Sequence, residues 1–282
     1  MSKLGIIAGR GDLPLRLVET CKSRGADYFI LALSGQTDPQ WVEGNPHAWT
    51  RIGALGTAIS LLQEANVTHV VMAGGIQRPT LSELRPDWKA AKVIAKMGFS
   101  KLGDDTALRI IVSILEQEGF QVVGADDILD DLLAPEGTLS KAVPSRDAWT
   151  SIQRGWGIAK TLGLLDVGQA VVVQDDLVLG LEGVEGTDAL IARCGELKRD
   201  GVGPVLIKVA KPQQERRADL PTIGPKTIES LITQGFSGLV IESGCSIILD
   251  KPGVQRRIDD AGLFMISLSS ETLEGQPQGA FH

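Results

Sequence analysis

Leu4-Gly5-Ile6-Ile7-Ala8-Gly9-Arg10-Gly11-Asp12-Leu13-Pro14 is the stretch that decides the fold. An apolar run, Leu4 to Ala8, reads as a buried strand ending on glycine. A polar turn follows, and then a proline at what reads as the first turn of a helix. Proline is tolerated there because a first-turn N–H has no intrahelical partner in any case. The helix is expected to run from Leu13 to Arg24 and to stop at Gly25. Strand, glycine turn and helix in that order open a βαβ unit.

The pattern continues outward. Strands are expected at Tyr28 to Leu33, at 67–73 and at 120–124, and helices at 56–65 and 105–118. Strands separated by helices of this length predict a parallel, doubly wound sheet. Pro135, Gly137 and Pro144 fall in a weakly periodic polar stretch that reads as a linker. A second α/β half follows, with helices at 148–162, 187–198 and 226–234. Its strands are expected at 169–173, 177–181, 205–209, 238–242 and 245–249, the first two forming a hairpin around Asp175-Asp176. The fold class is α/β, and the expected boundaries are a Rossmann-like domain over 1–134, a linker over 135–146 and a mixed α/β catalytic domain over 147–282.

Composition narrows the chemistry. A length of 282 residues suits about two domains. A net charge of −7 argues against a general nucleic-acid binder, which needs clustered positive charge. The three cysteines, Cys21, Cys194 and Cys245, lie far apart and suggest buried thiols in a reducing compartment. Met1-Ser2-Lys3 leads straight into a strand, and no apolar run approaches a membrane span, so a cytoplasmic protein is expected. Only His47, His69 and His282 occur, which excludes sites built on several histidines. Metal chemistry here falls to carboxylates, which suit hard ions such as Mg²⁺.

Five segments carry candidate chemistry. The turn Gly9-Arg10-Gly11-Asp12-Leu13-Pro14 offers backbone N–H groups to a phosphate. It is an incomplete dinucleotide fingerprint, because Pro14 takes the third glycine position and the second strand lacks a ribose-gripping acid. Gly74-Gly75 with Arg78 follows the third strand at its carboxyl end, where open parallel sheets place ligands. Gly103-Asp104-Asp105 opens a helix with two carboxylates, of which capping explains one. Glu182, Glu185 and Asp188 crowd into seven residues with Gly183, Gly186 and Thr187; a cation or hydrogen-bond donors must offset such a cluster. The fifth segment, 208–225, mixes Lys211, Arg217, Asp219, Thr222 and Gly224 with turn formers and suits a loop that clamps phosphate. Separately, Arg85, Lys89, Lys92 and Lys96 share a helical face opposite Ala90, Val93, Ile94 and Met97. That face is either solvated or laid on anionic lipid.

Taken together, Gly9-Arg10-Gly11-Asp12-Leu13-Pro14, Gly103-Asp104-Asp105, Glu182 with Glu185-Gly186-Thr187-Asp188, and Arg217 with Asp219-Leu220-Pro221-Thr222-Ile223-Gly224 resemble the LpxI family. These are the UDP-2,3-diacylglucosamine pyrophosphatases of lipid A biosynthesis. The resemblance covers the whole chain in order and departs at Glu215, where an aspartate is expected. It implies two α/β domains with the substrate between them. It also implies Mg²⁺-dependent attack of water on the sugar-side phosphorus, giving UMP and 2,3-diacylglucosamine 1-phosphate (lipid X). Under it the catalytic carboxylates are Glu182, Glu185, Asp188 and Asp219, with Mg²⁺ on Glu185, Asp188 and Asp219. Substrate contacts fall to the glycine turn, Gly74, Gly75, Arg78, Gly103, Asp104, Asp105, Gly186, Thr187, Lys211, Arg217, Thr222 and Gly224. A lipid substrate adds the expectation of peripheral membrane contact, and a homodimer is compatible with the reading. Three alternatives stand beside it: a hydrolase of another nucleoside diphosphate sugar, a nicotinamide oxidoreductase and a sugar-nucleotide sensor.

Overall fold

The computed structural model describes residues 2–77, 84–97, 104–129 and 132–275. The chain divides into two compact units, the first formed by Met1–Asp130 with Glu215–Asp219 and the second by Asp131–Gln214 with Leu220–His282.

In the first unit the order is β1 (Leu4–Ala8), α1 (Leu13–Arg24), β2 (Tyr28–Leu33), α2 (Pro39–Val42), β3 (His47–Thr50), α3 (Leu55–Glu64), β4 (His69–Ala73), α4 (Trp88–Met97), α5 (Asp104–Gln117) and β5 (Gln121–Val123). The five strands form one sheet in the order β3-β2-β1-β4-β5, parallel throughout. Pro14 sits at the start of α1, and Gly25 closes that helix in the left-handed region at φ 61°. A face of this sheet is covered by Ile59 and Leu62 of α3 and Val112 and Leu115 of α5, packed on Leu31, Val70 and Val122. The chain runs from β1 outward through β2 and β3, then returns to the other side of β1 for β4. The order therefore reverses between β1 and β4, and that switch point is where open α/β sheets leave a crevice.

The second unit runs β6 (Gly137–Thr138), α6 (Arg146–Leu164), β7 (Ala170–Gln174), β8 (Leu177–Leu181), α7 (Gly186–Glu196), β9 (Val205–Lys208), β10 (Thr222–Ile223), α8 (Pro225–Thr233), β11 (Gly238–Glu242), β12 (Ile247–Ile248), α9 (Lys251–Ala261), β13 (Phe264–Leu268) and α10 (Ser270–Gly275). Its six-stranded sheet has the order β6-β13-β11-β9-β7-β8 and is mixed: β9, β11 and β13 are parallel, while β7 and β6 join antiparallel. Every residue of β7 is buried, because both faces are covered. Val171 and Val173 meet Ile152, Trp156 and Ala159 of α6 on one face. Ala170 and Val172 meet Leu190 of α7, Ile228 of α8 and Val254 of α9 on the other.

The stretch expected as a linker, 135–146, is woven into this second unit. Thr138 pairs with Ile266 of β13, and Leu139 N–H donates to the Met265 carbonyl at 2.8 Å. Strand β3, α9 and β13 are elements that the sequence patterns left unassigned.

Candidate active site

At the switch point of the first unit the two glycine motifs meet. Arg10 N–H donates to the Gly75 carbonyl at 2.8 Å, Gly75 N–H returns to the Arg10 carbonyl at 3.0 Å, and Gly9 N–H reaches the Ala73 carbonyl at 2.8 Å. The two turns are thus zipped backbone to backbone. A Cβ at Gly9 would lie 2.6 Å from the Gly75 carbonyl oxygen, and one at Gly74, where φ is +90°, would lie 2.5 Å from that of Arg10. No side chain fits either place. The β2 loop joins the same rim. Arg10 Nη2 donates to the Gly35 carbonyl at 3.1 Å, the Thr37 hydroxyl to the Ala8 carbonyl at 2.6 Å, and Gln77 N–H to Gln36 Oε1 at 2.9 Å. Helix α1 starts here, and its N-cap, Asp12, makes no side-chain capping bond. The rim therefore presents a helix start and an exposed guanidinium, a combination suited to an anionic group. Arg78 and Gly103 lie outside the described residues, and Asp104 is described only as the first residue of α5.

Asp105 is only 2% exposed. Its Oδ1 accepts the Glu215 N–H at 2.8 Å, and Oδ2 faces Arg109 Nε at 3.0 Å. The Glu215–Asp219 segment belongs to this unit, and Ala218 packs on the α3–α5 core. Glu215 and Arg217 pair fork to fork, Nε to Oε1 and Nη2 to Oε2, both at 2.9 Å; Arg217 Nη1 also meets Glu116 Oε1 at 2.6 Å. Arg217, then the burial and backbone contacts of the site, set the ionisation of Glu215, and the net effect holds its carboxyl below the usual glutamate range.

In the second unit the acidic cluster spans the turn from β8 into α7. Glu182 is buried, and its two oxygens are taken by Gln169 N–H at 2.9 Å and the Thr187 hydroxyl at 2.6 Å. Glu185 turns back to Gly183 N–H at 3.1 Å and to Arg193 Nη2 at 2.8 Å. Its own backbone N–H, then Arg193, hold its carboxyl below the usual range. Asp188 is the open member: its side chain is 58% exposed and faces Lys226 Nζ at 3.5 Å. Asp188 and Lys226 stand in the first turns of α7 and α8. Gly186 opens α7, Gly224 is the N-cap of α8, and neither helix has a side-chain cap bond at its start.

The expected cations of the 208–225 segment are engaged. Lys211 Nζ binds Asp166 Oδ1 at 2.6 Å, with only 9% of its side chain exposed. Thr222 O accepts Lys208 Nζ at 3.0 Å, and its hydroxyl donates to the Leu220 carbonyl at 3.0 Å. Composition and spacing had not marked three residues that stand out here. Lys226 is one, 85% exposed beside Asp188. The other two form a node at the ends of β9 and β11. Lys160 Nζ meets both Glu242 oxygens at 2.6 Å and the Ala210 carbonyl at 3.1 Å, and Glu242 Oε2 accepts Ala210 N–H at 2.8 Å. The sequence signal for Glu242 was there: a carboxylate that ends an apolar strand needs a buried partner.

Among the described residues no three His, Cys, Asp or Glu side chains are grouped to hold a metal ion. With Glu182 satisfied by two donors and Glu185 by Arg193, the acidic cluster does not fit a resident Mg²⁺ cage. Among the same residues no helix is long and apolar enough to cross a membrane.

A parallel α/β sheet with glycine turns at its switch point, and a second α/β unit with a mixed sheet and glycine-opened helix starts, define a class: two-unit α/β proteins. Within it the family is plain. Residues 3–132 match the LpxI N-terminal domain and residues 135–266 the LpxI C-terminal domain. The UDP-2,3-diacylglucosamine pyrophosphatase LpxI of Caulobacter vibrioides is 35% identical over 278 residues, covering 96% of this chain and 99% of that protein. The chain belongs to the LpxI family. Among solved structures, N5-carboxyaminoimidazole synthase from Aspergillus clavatus matches at 14% identity over 70% of this chain and 44% of its own, with a TM-score of 0.24.

Proposed function

We propose that this chain hydrolyses the pyrophosphate of UDP-2,3-diacylglucosamine to UMP and 2,3-diacylglucosamine 1-phosphate. The observation that carries the reading is a 35% identity sustained over nearly the full length of both this chain and a relative named for that reaction. In the step, water adds to the sugar-side phosphorus, the bridging P–O bond breaks and UMP leaves. Asp219 and Asp188 are the carboxylates assigned to the reacting groups. Asp188 has the exposure for this, which Glu182 lacks. Arg10 and Lys226 are the cations assigned to the phosphates, since Lys211 is buried against Asp166. Fixed cations of this kind stabilise charge that develops in phosphoryl transfer.

Mg²⁺ dependence belongs to the same proposal, with the ion arriving on the diphosphate and needing few protein carboxylates. Contact with an anionic lipid surface also belongs to it. The substrate carries acyl chains, and Trp88 on α4 is 84% exposed.

The test is hydrolysis by purified protein with Mg²⁺ and with EDTA, beside UDP-N-acetylglucosamine. Release of UMP and the acylated sugar phosphate from the acylated substrate alone, lost in EDTA, is the expected outcome. Asp219→Ala is expected to lower turnover by about 10²-fold or more. Turnover of both substrates would replace the reading with a general nucleotide-sugar hydrolase, and turnover of neither would overturn it.

A further inference from the structure

We propose that Asp105 is a positioning residue for this reaction, fixing the Glu215–Asp219 segment through that segment's first N–H. The proposal rests on the reading that Asp219 acts at the diphosphate. The carboxylate is 2% exposed, and the hydrogen bond it accepts comes from the protein's own backbone, on Oδ1. Burying that charge is offset by the hydrogen bond from Glu215 N–H at 2.8 Å and by the Arg109 guanidinium one turn along α5.

The geometry then runs from Asp105 to Asp219 in two links. Asp105 holds the N–H of Glu215. The carbonyl of Glu215 accepts the N–H groups of Ala218 at 2.9 Å and Asp219 at 3.0 Å. The Glu215 side chain grips Arg217, and Arg217 returns to Glu116 on α5, the helix that carries Asp105. Two anchor points on one helix therefore set the conformation of a five-residue turn. Loss of the first anchor leaves a partly buried N–H without its partner and the turn free to shift. Misplacing a reacting group by about 1 Å costs on the order of 10²-fold in rate.

The experiment compares Asp105→Ala with Asp105→Asn in the full chain. Kinetics on the acylated substrate are read beside hydrogen exchange of the peptide covering 215–219. Asp105→Asn keeps an oxygen for the Glu215 N–H. It gives up the pair with the half-exposed Arg109, so it is expected to keep more of the wild-type kcat than the alanine variant, and it remains informative if the alanine variant does not fold. Asp105→Ala is expected to lower kcat by roughly 10- to 100-fold with little change in KM, and to speed exchange at 215–219. Three results would overturn the proposal: unchanged exchange in Asp105→Ala, unchanged kcat with faster exchange, or Asp105→Asn as impaired as the alanine. Failure of the functional reading itself looks different, because wild type would then show no turnover while the exchange difference persisted.

Discussion

Glu215 shows how one side chain reports on the site around it. Its folded carboxyl is held below the usual glutamate range, first by Arg217. A lowered folded value means that the stabilisation is complete above the unfolded value of about 4.3 and is lost as pH falls through the folded one. Titration of Glu215 by NMR should therefore give a midpoint below that of a free glutamate, and Arg217→Ala should move it back up. An unmoved midpoint in that variant would remove Arg217 as the cause. Residues of this kind were half legible in the sequence. The Asp104-Asp105 pair stood out as one carboxylate too many for a cap. Its partner was hidden, because the N–H that Asp105 accepts belongs to a residue 110 positions away. Lys226 was read only as the start of a helix, since nothing in its neighbours revealed that α7 would bring Asp188 to it.

Among elements, the opening βα unit was read to the residue: β1, α1 and β2 fall at the expected bounds, because apolar runs and the Gly25 stop mark both ends of each. Strand β3, with the sequence HAWT, has no apolar run and was missed. Helix α9 hides behind its charged residues, and β6 is too short to show periodicity. The zipped glycine turns of β1 and β4 lead to a prediction at this scale. Gly74→Ala places a Cβ 2.5 Å from the Arg10 carbonyl oxygen on a backbone at φ +90°. The two turns must separate, with an expected loss of about 1–3 kcal/mol of stability, read by urea denaturation. A variant as stable as wild type would mean that the turns yield without cost.

Across the whole molecule, a net charge of −7 opposes long-range attraction to an anionic bilayer. On α4, Lys89 is already paired with Glu118. The membrane contact proposed above is therefore assigned to Trp88, which is 84% exposed and whose amphipathic ring suits the headgroup level. Flotation with anionic vesicles should recover the wild-type protein with little dependence on salt, and Trp88→Ala should remain at the bottom. Recovery that vanishes in high salt would point to the lysines instead.

The ring that joins Asp105 and Glu116 to Glu215 and Arg217 bears on how such chains recombine. Its members are encoded in two stretches about a hundred codons apart, and each is useful only in the company of the other. A crossover anywhere between residues 117 and 214 inherits the two stretches from different parents. Chimeras between distant LpxI relatives should therefore tolerate breakpoints outside that window far better than within it, unless the exchanged partners are matched.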